Sequence, residues 1–290
     1  MNSGIFFAFA CLVSAACNDL LFKFFARRPR PRGIFITIIG IVWSALALLL
    51  PGKFDQALSQ TIIWGVISGI FSTVANIFLI EAMTRQSAGL CSTIYRLNLA
   101  LVIPGAALLF HEQHPWYQYL GIAAALLAVL FFLPGSTKSG DDSKNDRSGL
   151  IMIITAAVLR ALMGLSYKYG FNHGATPNGI TLINGFCWII GGAIYFLLCE
   201  RAKWANSAEK LCDGKLISYG AGSGILVIAI VYTMAQAVKL GDVGIVLPIA
   251  QMSFILTFIL SMIFLREKLT LYKFFALFCG AAALILLSLN

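Results

Sequence analysis

Two arginines lie deep inside long apolar runs, where a charged side chain has no bulk water to solvate it. Arg96 is nine residues into one run and Arg160 is twelve residues into another. A charge at the centre of a bilayer costs at least about 2.5–3.5 kcal/mol, so such a residue faces a wet cavity or an opposite charge. A guanidinium binds a carboxylate or a phosphate through two parallel hydrogen bonds. We therefore expect a cavity that binds an anion, the alternative being a purely structural ion pair at each arginine.

Further polar side chains in the same runs complete the predicted site. Lys23 and Lys168 lie near the ends of their runs and form the rim of the cavity, although Lys168 could instead reach the lipid headgroups. Pro248 either frees a backbone carbonyl inside the membrane or simply kinks its helix, and polar residues follow it. The predicted substrate-binding residues are Arg160, Arg96, Tyr95, Asn98, Asn18, Lys23, Lys168, Gln251 and Ser253.

Two acidic residues inside the runs are candidates for proton binding. Asp19 either neutralises Lys23 or an arginine, or takes up a proton during a transport cycle. Glu81 has Arg85 four residues later, so it either forms an interfacial ion pair or has the same proton-binding role. Because the two deep arginines are not matched by two equally deep acids, the sequence predicts positive potential in the cavity.

Membrane helices must position these residues, because the composition excludes a water-soluble fold. Apolar residues make up 59% of the 290 residues and charged residues only 11%, whereas ordinary globular chains are about 25% charged. A helix of roughly 20 apolar residues crosses the hydrocarbon core and satisfies its own backbone groups. We predict an all-α integral membrane protein with ten transmembrane helices: Ser3–Phe25, Gly33–Leu50, Thr61–Met83, Ser87–Phe110, Trp116–Leu133, Ser148–Tyr169, Gly179–Leu198, Leu216–Val238, Gly241–Phe264 and Leu271–Leu289.

The basic residues indicate how the chain lies in the membrane. Of 21 Lys and Arg residues, fifteen lie in or beside the odd-numbered connections, and only Lys53 and Lys239 lie in even-numbered ones. Cytoplasmic loops carry the excess of basic residues, so we expect the odd connections in the cytoplasm and both termini outside, in a multi-pass protein of the cell (inner) membrane. The net charge of +9 is spread over short loops beside anionic lipid, which argues against nucleic acid as a partner.

The chain contains an internal repeat, which self-comparison detects at two fixed shifts. At a shift of 145, Ser3-Gly4 pairs with Ser148-Gly149, and Phe22-Lys23-Phe24 pairs with Tyr167-Lys168-Tyr169. At a shift of 155, Gly65, Ser68, Gly69, Ala82, Gly89, Glu112 and Tyr117 pair with Gly220, Ser223, Gly224, Ala237, Gly244, Glu267 and Tyr272.

The repeat divides the chain into residues 1–134, a polar linker at 135–147, and residues 148–290. Each unit has five predicted spans, an odd number, so the second unit enters the membrane from the opposite side. Such inverted repeats form many secondary transporters, with the substrate site near the midplane between the halves. The glycine pairs Gly65/Gly69 and Gly220/Gly224 are helix-packing positions, with contacts in a dimer as the alternative.

Together these features resemble the EamA-type transporters of the drug/metabolite transporter superfamily. The fourth helix of each unit ends in a Glu-bearing turn, Phe110-His111-Glu112 in the first and Leu265-Arg266-Glu267-Lys268-Leu269-Thr270 in the second. The first unit departs from the pattern, with Thr93 where the second has Pro248. The resemblance and the cation count differ on orientation, since many members are drawn with their termini inside, and we follow the count.

The resemblance implies a secondary transporter, with export as the expected direction, that moves a small polar metabolite through a central cavity by alternating access. The arginines favour a substrate with a carboxylate or phosphate. The expected partners are this small-molecule substrate, a proton and membrane lipid, in a monomer or homodimer. The alternatives are a multidrug or cation-tolerant exporter of the same fold, and a membrane receptor or assembly protein without transport activity.

Catalysis and metal binding are not predicted from the motifs. His111-Glu112-Gln113-His114 has one residue between Glu and the second His, whereas the zinc motif of metalloproteases requires two. The sequence has no Gly-rich phosphate loop and no polar segment long enough for an ATPase domain. We therefore expect neither an enzyme nor a cofactor or metal site.

Overall fold

A computed structural model describes residues 3–52, 57–110, 115–132, 141–205, 213–241, 246, 249–267 and 270–289. For residues 132, 141–146, 205 and 288 it describes the backbone and not the side chain. The described part of the chain forms helices and contains no strand. The α-helices are α1 Ser3–Ala26, α2 Arg32–Ala47, α3 Leu58–Arg85, α4 Ala88–Arg96, α5 Leu99–Phe110, α6 Trp116–Phe132, α7 Asp141–Asn172, α8 Pro177–Tyr195, α9 Arg201–Ala205, α10 Gly214–Leu240, α11 Ser253–Leu265 and α12 Leu271–Ser288, with a π-helical segment Phe196–Glu200 between α8 and α9.

Length and composition divide these helices into two groups. Six helical stretches of the described chain are long and apolar enough to cross a membrane, and four further apolar helices are shorter. Each predicted span overlaps one of these ten stretches, of which six are long enough to cross a membrane. Helix α7 begins at Asp141, seven residues before the start of the predicted span at Ser148. The motifs at 111–114, Gly244, Pro248 and residues 268–269 lie outside the described residues.

The fourth predicted span is not one continuous helix. It breaks after α4, where Leu97 has φ −74° and ψ 5°, and α5 restarts with Pro104 inside it. Met252, 155 residues later, precedes α11 with nearly the same dihedral angles, φ −69° and ψ 7°. Interrupted helices inside a membrane are tolerated where they are buried in protein or line a cavity, and transporters bind their substrates at such interruptions.

Close helix packing occurs at the predicted glycines. A Cβ atom placed on Gly65 or Gly69 of α3 would lie 2.9 Å from Ile183 or 2.5 Å from the Cys187 Sγ of α8. A Cβ atom on Gly220 or Gly224 of α10 would lie 2.7 Å from Ile38 or Val42 of α2. Only glycine permits these approaches without a local shift.

The same contacts recur at positions separated by the repeat shifts. Ile38 and Ile183 differ by 145, as do Val42 and Cys187, so each glycine stripe meets repeat-related partners. Helices α2 and α8 also pack on each other reciprocally: a Cβ on Gly40 meets Ile189, and one on Gly185 meets Ser44.

The buried core joins the two halves of the chain. Its largest cluster draws on α1, α2, α3, α4, α7 and α8. Phe25 of α1 and Phe35 of α2 stack with their ring centroids 3.8 Å apart. Many large apolar side chains, such as Phe6, Leu108 and Leu198, are instead exposed on the outside of the helices. An apolar exterior of this kind suits a lipid environment, and the core holds the cavity-lining helices in place.

Candidate functional site

A cavity of about 520 Å³ lies between helices of both halves of the chain. Its polar lining includes Arg96, Arg160 and Asp19, and its apolar lining is aliphatic and aromatic. The lining residues are Cys11, Asn18, Asp19, Phe22, Trp43, Ser72, Asn76, Leu79, Tyr95, Arg96, Arg160, Met163, Tyr167, Phe171, Pro177, Ile180, Thr181, Trp188, Val227, Ile230, Val231, Met234, Ala235, Val238, Ala250 and Gln251.

Among the described residues, the lining of the cavity reaches the helix ends on one side further than those on the other. Phe171 is the penultimate residue of α7, Pro177 is the first residue of α8, and Val238 lies near the end of α10. All three belong to ends that meet at the even-numbered connections. Towards the odd-numbered connections the lining stops at Phe22 and Leu79, before α1 and α3 end. The cavity therefore approaches helix ends that border the predicted even-numbered connections.

Asp19 and Arg96 form an ion pair inside the cavity. Arg96 Nη2 lies 3.6 Å from Asp19 Oδ2, and the two residues are 7% and 3% exposed. The same carboxylate oxygen accepts hydrogen bonds from Ser92 Oγ at 2.6 Å and Thr257 Oγ1 at 3.3 Å. The carboxylate thus joins α1, α4 and α11 and neutralises one of the two predicted arginines.

Arg160 is the second arginine of the cavity, and its guanidinium packs on the face of an aromatic ring. Its guanidinium carbon lies 5.1 Å from the Tyr95 ring centroid, a cation–π distance. No carboxylate of the described residues lies within ion-pair distance of it. Tyr167, seven residues and so about two turns further along α7, accepts a hydrogen bond from Asn184, whose Oδ1 accepts one from Ser68 at 3.1 Å. The cavity therefore contains a guanidinium whose charge is not balanced by a described acid.

Several buried polar atoms of the cavity lining have no hydrogen-bond partner in the described structure. They are Asn18 Oδ1, Trp43 Nε1, Tyr95 OH and Arg96 Nε. A buried polar group without a partner costs about 1–3 kcal/mol. Three of the four can donate a hydrogen bond, which suits a ligand with negatively charged oxygen atoms.

The predicted site residues divide into two groups by position. Asn18, Asp19, Tyr95, Arg96, Arg160 and Gln251 line the cavity together. Lys23, Glu81, Asn98, Lys168 and Ser253 lie outside its lining. Asn98 and Ser253 are both buried and adjoin the two helix interruptions. Their predicted substrate contacts remain predictions.

Lys23 and Lys168 occupy repeat-related positions with different contacts. The Lys23 ammonium donates to the carbonyl of Met83 at 2.7 Å and to that of Gln86 at 2.5 Å, at the end of α3. The Lys168 ammonium lies 5.1 Å from the Phe110 ring centroid. Lys23 therefore ties α1 to α3 on the odd-numbered side.

Glu81 lies in a second pocket, of about 570 Å³, rather than in the central cavity. It pairs with Arg32, accepts from Tyr195 OH at 3.0 Å and lies 3.9 Å from Arg85 Nη2. Glu200 completes this network by accepting from the backbone N–H groups of Arg32 and Gly33 at 3.0 and 2.9 Å, which caps the N-terminus of α2. The network holds α2, α3 and the end of α8 together.

Sequence reasoning missed several residues of the site. Ser92 and Thr257 are short hydroxyl residues in apolar runs, and nothing in their local sequence marks them as partners of Asp19. Trp43 was detectable, because it differs from Trp188 by the repeat shift of 145; the two rings pack edge to face at 5.4 Å. Ser72 was not singled out either, although it accepts from Trp188 Nε1 at 3.0 Å.

No group of His, Cys, Asp and Glu within the described ranges could hold a metal ion. The arrangement instead offers a water-accessible, cationic and partly aromatic space between two sets of helices.

Comparisons with known proteins agree with this architecture. The sequence model of the EamA-like transporter family matches residues 2–133 and 147–289. A solved structure, described as "Crystal structure of protein", is 15% identical, covers 98% of this chain and 96% of its own, and superposes with a TM-score of 0.65. Likeness at this identity shows a shared fold alone. The search of curated proteins gave no match.

Proposed function

Because this chain belongs to the EamA-like transporter family, we propose that it is a secondary transporter that exports a small polar metabolite bearing a carboxylate or a phosphate across the cell (inner) membrane. The observation that carries the proposal is Arg160, which lines a cavity of about 520 Å³ without a carboxylate within ion-pair distance among the described residues. A charge that has no structural partner at this depth is explained by a charged ligand.

The proposed architecture is ten membrane helices in two inverted repeats. The family model matches the chain in two segments of similar length, 2–133 and 147–289. The reciprocal contacts Gly40 with Ile189 and Gly185 with Ser44 support it, because the shift of 145 relates Gly40 to Gly185 and Ser44 to Ile189, so each contact is the repeat equivalent of the other. A symmetric contact of this kind is expected across a pseudo-two-fold axis.

The bound anion interacts with Arg160 in preference to Arg96. Asp19 lies 3.6 Å from Arg96 and neutralises its charge, whereas Arg160 contacts the electron-rich face of Tyr95. A guanidinium on an aromatic face keeps its N–H groups free for a carboxylate or phosphate.

Alternating access requires one closed and one open side, and the contacts support a closed odd-numbered side. Lys23 binds the carbonyls of Met83 and Gln86 there. Glu267 accepts from the Ala88 N–H at 2.9 Å and from Ser261 Oγ at 3.0 Å, which ties α4 to the end of α11. The cavity reaches the opposite helix ends. We assign the structure to the state that is open to the even-numbered side, which is outside by the positive-inside rule.

The opposite state would use the repeat-related contacts. Lys168 is the equivalent of Lys23 at a shift of 145, and Val238 and Gly241 are the equivalents of Met83 and Gln86 at a shift of 155. In the inward-open state Lys168 binds the carbonyls of Val238 and Gly241. Lys23 then no longer binds the carbonyls of Met83 and Gln86. Exchange of equivalent contacts between two repeats gives two states of similar energy, as a carrier needs.

Asp19 is the proposed proton-binding group. Protonation removes its charge, weakens its pairing with Arg96 and turns an acceptor into a donor. Arg96 would then be available to the substrate. The proposal thus links proton binding to anion binding through a single carboxylate.

Reconstitution tests the function. The protein is placed in liposomes, and the flux of a panel of labelled organic anions, carboxylates and phosphate esters, is measured with and without a pH gradient. Arg160→Ala and Arg160→Lys are compared with Arg201→Ala, an exposed arginine outside the cavity. We expect saturable flux of at least one anion, lost in Arg160→Ala and reduced in Arg160→Lys, since lysine lacks the bidentate geometry. Unchanged anion flux in both Arg160 variants would refute the anion site, and no carrier-mediated flux of any anion would refute the function.

A further inference from the structure

The two proposed repeats contribute different chemistry to the central cavity. Positions related by the repeat shifts line it in pairs, and in four pairs the first-repeat member is polar and the second-repeat member is apolar. The polar wall consists of Asn18, Ser72, Asn76 and Tyr95, and the apolar wall of their equivalents Met163, Val227, Val231 and Ala250. The duplication therefore accounts for the frame of the cavity, while the side chains have diverged to opposite character.

The polar wall presents unpaired groups to the cavity. Asn18 Oδ1 and Tyr95 OH are buried and have no hydrogen-bond partner in the described part of the chain. Ser72 and Asn76 are buried on the same face of α3. The Arg160 guanidinium reaches this wall from α7, since it lies over the Tyr95 ring. The cationic group and the unpaired polar groups are thus on one side of the ligand space.

The apolar wall offers no polar side chain along one helix face. Val227 and Val231 are one turn apart on α10, and Ile230 and Met234 of the same helix also line the cavity. A methylene group buried against such a face gains about 0.8 kcal/mol. A fully hydrated ion would make no apolar contact with the side chains of this wall. The bound molecule therefore has an apolar part.

The charge balance of the cavity limits the charge of the ligand. Of the three charged residues that line it, Asp19 and Arg96 are paired at 3.6 Å. While Asp19 is ionised, one positive charge, on Arg160, remains. A single carboxylate balances it, whereas a phosphate monoester, with nearly two negative charges near neutral pH, brings a second charge into a low-dielectric space.

From these contacts we propose that the substrate is an amphipathic monocarboxylate, whose carboxylate binds Arg160 and the polar wall and whose apolar, ring-bearing body packs on the apolar wall. The inference rests on the proposed transport function and narrows its substrate class. Trp43 and Trp188, in edge-to-face contact at 5.4 Å, supply an aromatic surface for a ring.

Binding to purified protein tests the substrate class directly. Calorimetric titration in detergent compares 3-phenylpropionate with three probes: 3-phenylpropan-1-ol lacks the charge, acetate lacks the aromatic body, and phenyl phosphate carries a second charge on a shorter linker. We expect 3-phenylpropionate to bind at least about tenfold more tightly than each of the others, which corresponds to about 1.4 kcal/mol. Equal or tighter binding of phenyl phosphate or of acetate would overturn the proposal.

A substitution on the apolar wall tests the part of the inference that concerns the apolar body of the substrate. Val231→Asn gives the apolar wall the residue type of its equivalent Asn76, and Ile225→Asn, on the exposed face of the same helix, is the matched control. We expect Val231→Asn to weaken 3-phenylpropionate about tenfold and to leave acetate unchanged, because it buries a polar amide against the body. An equal loss for both ligands, or an equal loss in the control, contradicts an apolar-body site.

The outcomes distinguish this inference from the proposed function. If phenyl phosphate or acetate binds best and is transported, the monocarboxylate proposal is wrong and the transport function stands. If liposomes show no carrier-mediated flux of any anion, the function itself is wrong. Flux and tightest binding of 3-phenylpropionate, with loss of both in Arg160→Gln, supports both.

Discussion

The carboxylate of Asp19 lies 3.6 Å from the guanidinium of Arg96, and both side chains are almost completely buried in the wall of the central cavity. Arg96 is the last residue of α4, so the pair joins α1 to the end of α4. Breaking a buried pair by removing one partner leaves an uncompensated charge and costs about 3–5 kcal/mol. The pair is therefore sensitive to any change in the charge of Asp19, including protonation.

Asp19→Asn tests whether this carboxylate couples transport to protons. The amide keeps the size of the side chain and cannot exchange a proton, so we expect accumulation driven by a pH gradient to fall at least about tenfold. Exchange of labelled for unlabelled substrate at equal concentrations should be retained, because it needs no net proton movement. The measurement is flux in liposomes in both modes.

Asp213→Asn is the control for Asp19→Asn, because Asp213 caps the N-terminus of α10 outside the cavity and asparagine is an equally good cap. Gradient-driven accumulation that survives in Asp19→Asn at the level of the control would exclude Asp19 as the proton-binding group. Loss of both modes would contradict the prediction that Asp19 acts in proton coupling alone, because it would show that the side chain is also required for substrate binding or folding.

Lys23→Met should open the odd-numbered side. The substitution removes two hydrogen bonds from an ammonium to the carbonyls of Met83 and Gln86, and hydrogen bonds to charged groups contribute about 1.5–3 kcal/mol each. A shift of this size changes the population of an inward-open state at least about tenfold. The measurement is maleimide labelling of Ala88→Cys, a fully buried position at the closed side.

Two variants control the labelling experiment. Lys203→Met, an exposed lysine outside the closure, should leave the labelling rate of Ala88→Cys unchanged. Lys168→Met removes the proposed lock of the opposite state and should slow the labelling of Ala88→Cys. Equal rates in Lys23→Met and Lys203→Met would show that Lys23 does not hold this side closed.

The sequence predicts the positions of the helices better than the side-chain contacts between them. Apolar runs are set by the thickness of the bilayer, so the position of each helix follows from hydropathy, and Arg96 and Arg160 were identifiable because a deep charge is costly. The pairing of Asp19 with Ser92 and Thr257 was not identifiable from the sequence, since it depends on the rotational orientation of three helices about their axes. Lys23 was expected at the cavity rim and instead binds backbone carbonyls, which carry no sequence signal.

Gly224→Ala should destabilise the protein, whereas Gly214→Ala should not. A Cβ on Gly224 would lie 2.7 Å from Val42 and 3.1 Å from the Ile39 carbonyl oxygen, whereas no atom lies within 4 Å of a Cβ on Gly214 of the same helix. Overpacking costs about 1–3 kcal/mol. Thermal unfolding in detergent should show a lower midpoint for Gly224→Ala alone, and equal midpoints would show that α2 and α10 can separate without cost.

The positive-inside count predicts that His173, in the sixth connection, faces outward and that Arg201, in the seventh, faces the cytoplasm. Both side chains are exposed. A membrane-impermeant maleimide added to intact cells should therefore label His173→Cys and not Arg201→Cys, above the background of the unsubstituted protein. Permeabilised cells should label both, which controls for reactivity. The reverse pattern would place the termini inside, because the orientation of a membrane protein follows the Lys and Arg residues of its short loops only on average. The open face of the cavity would then be directed towards the cytoplasm. Binding of substrate from the cytoplasm would be the first step of the cycle from this state.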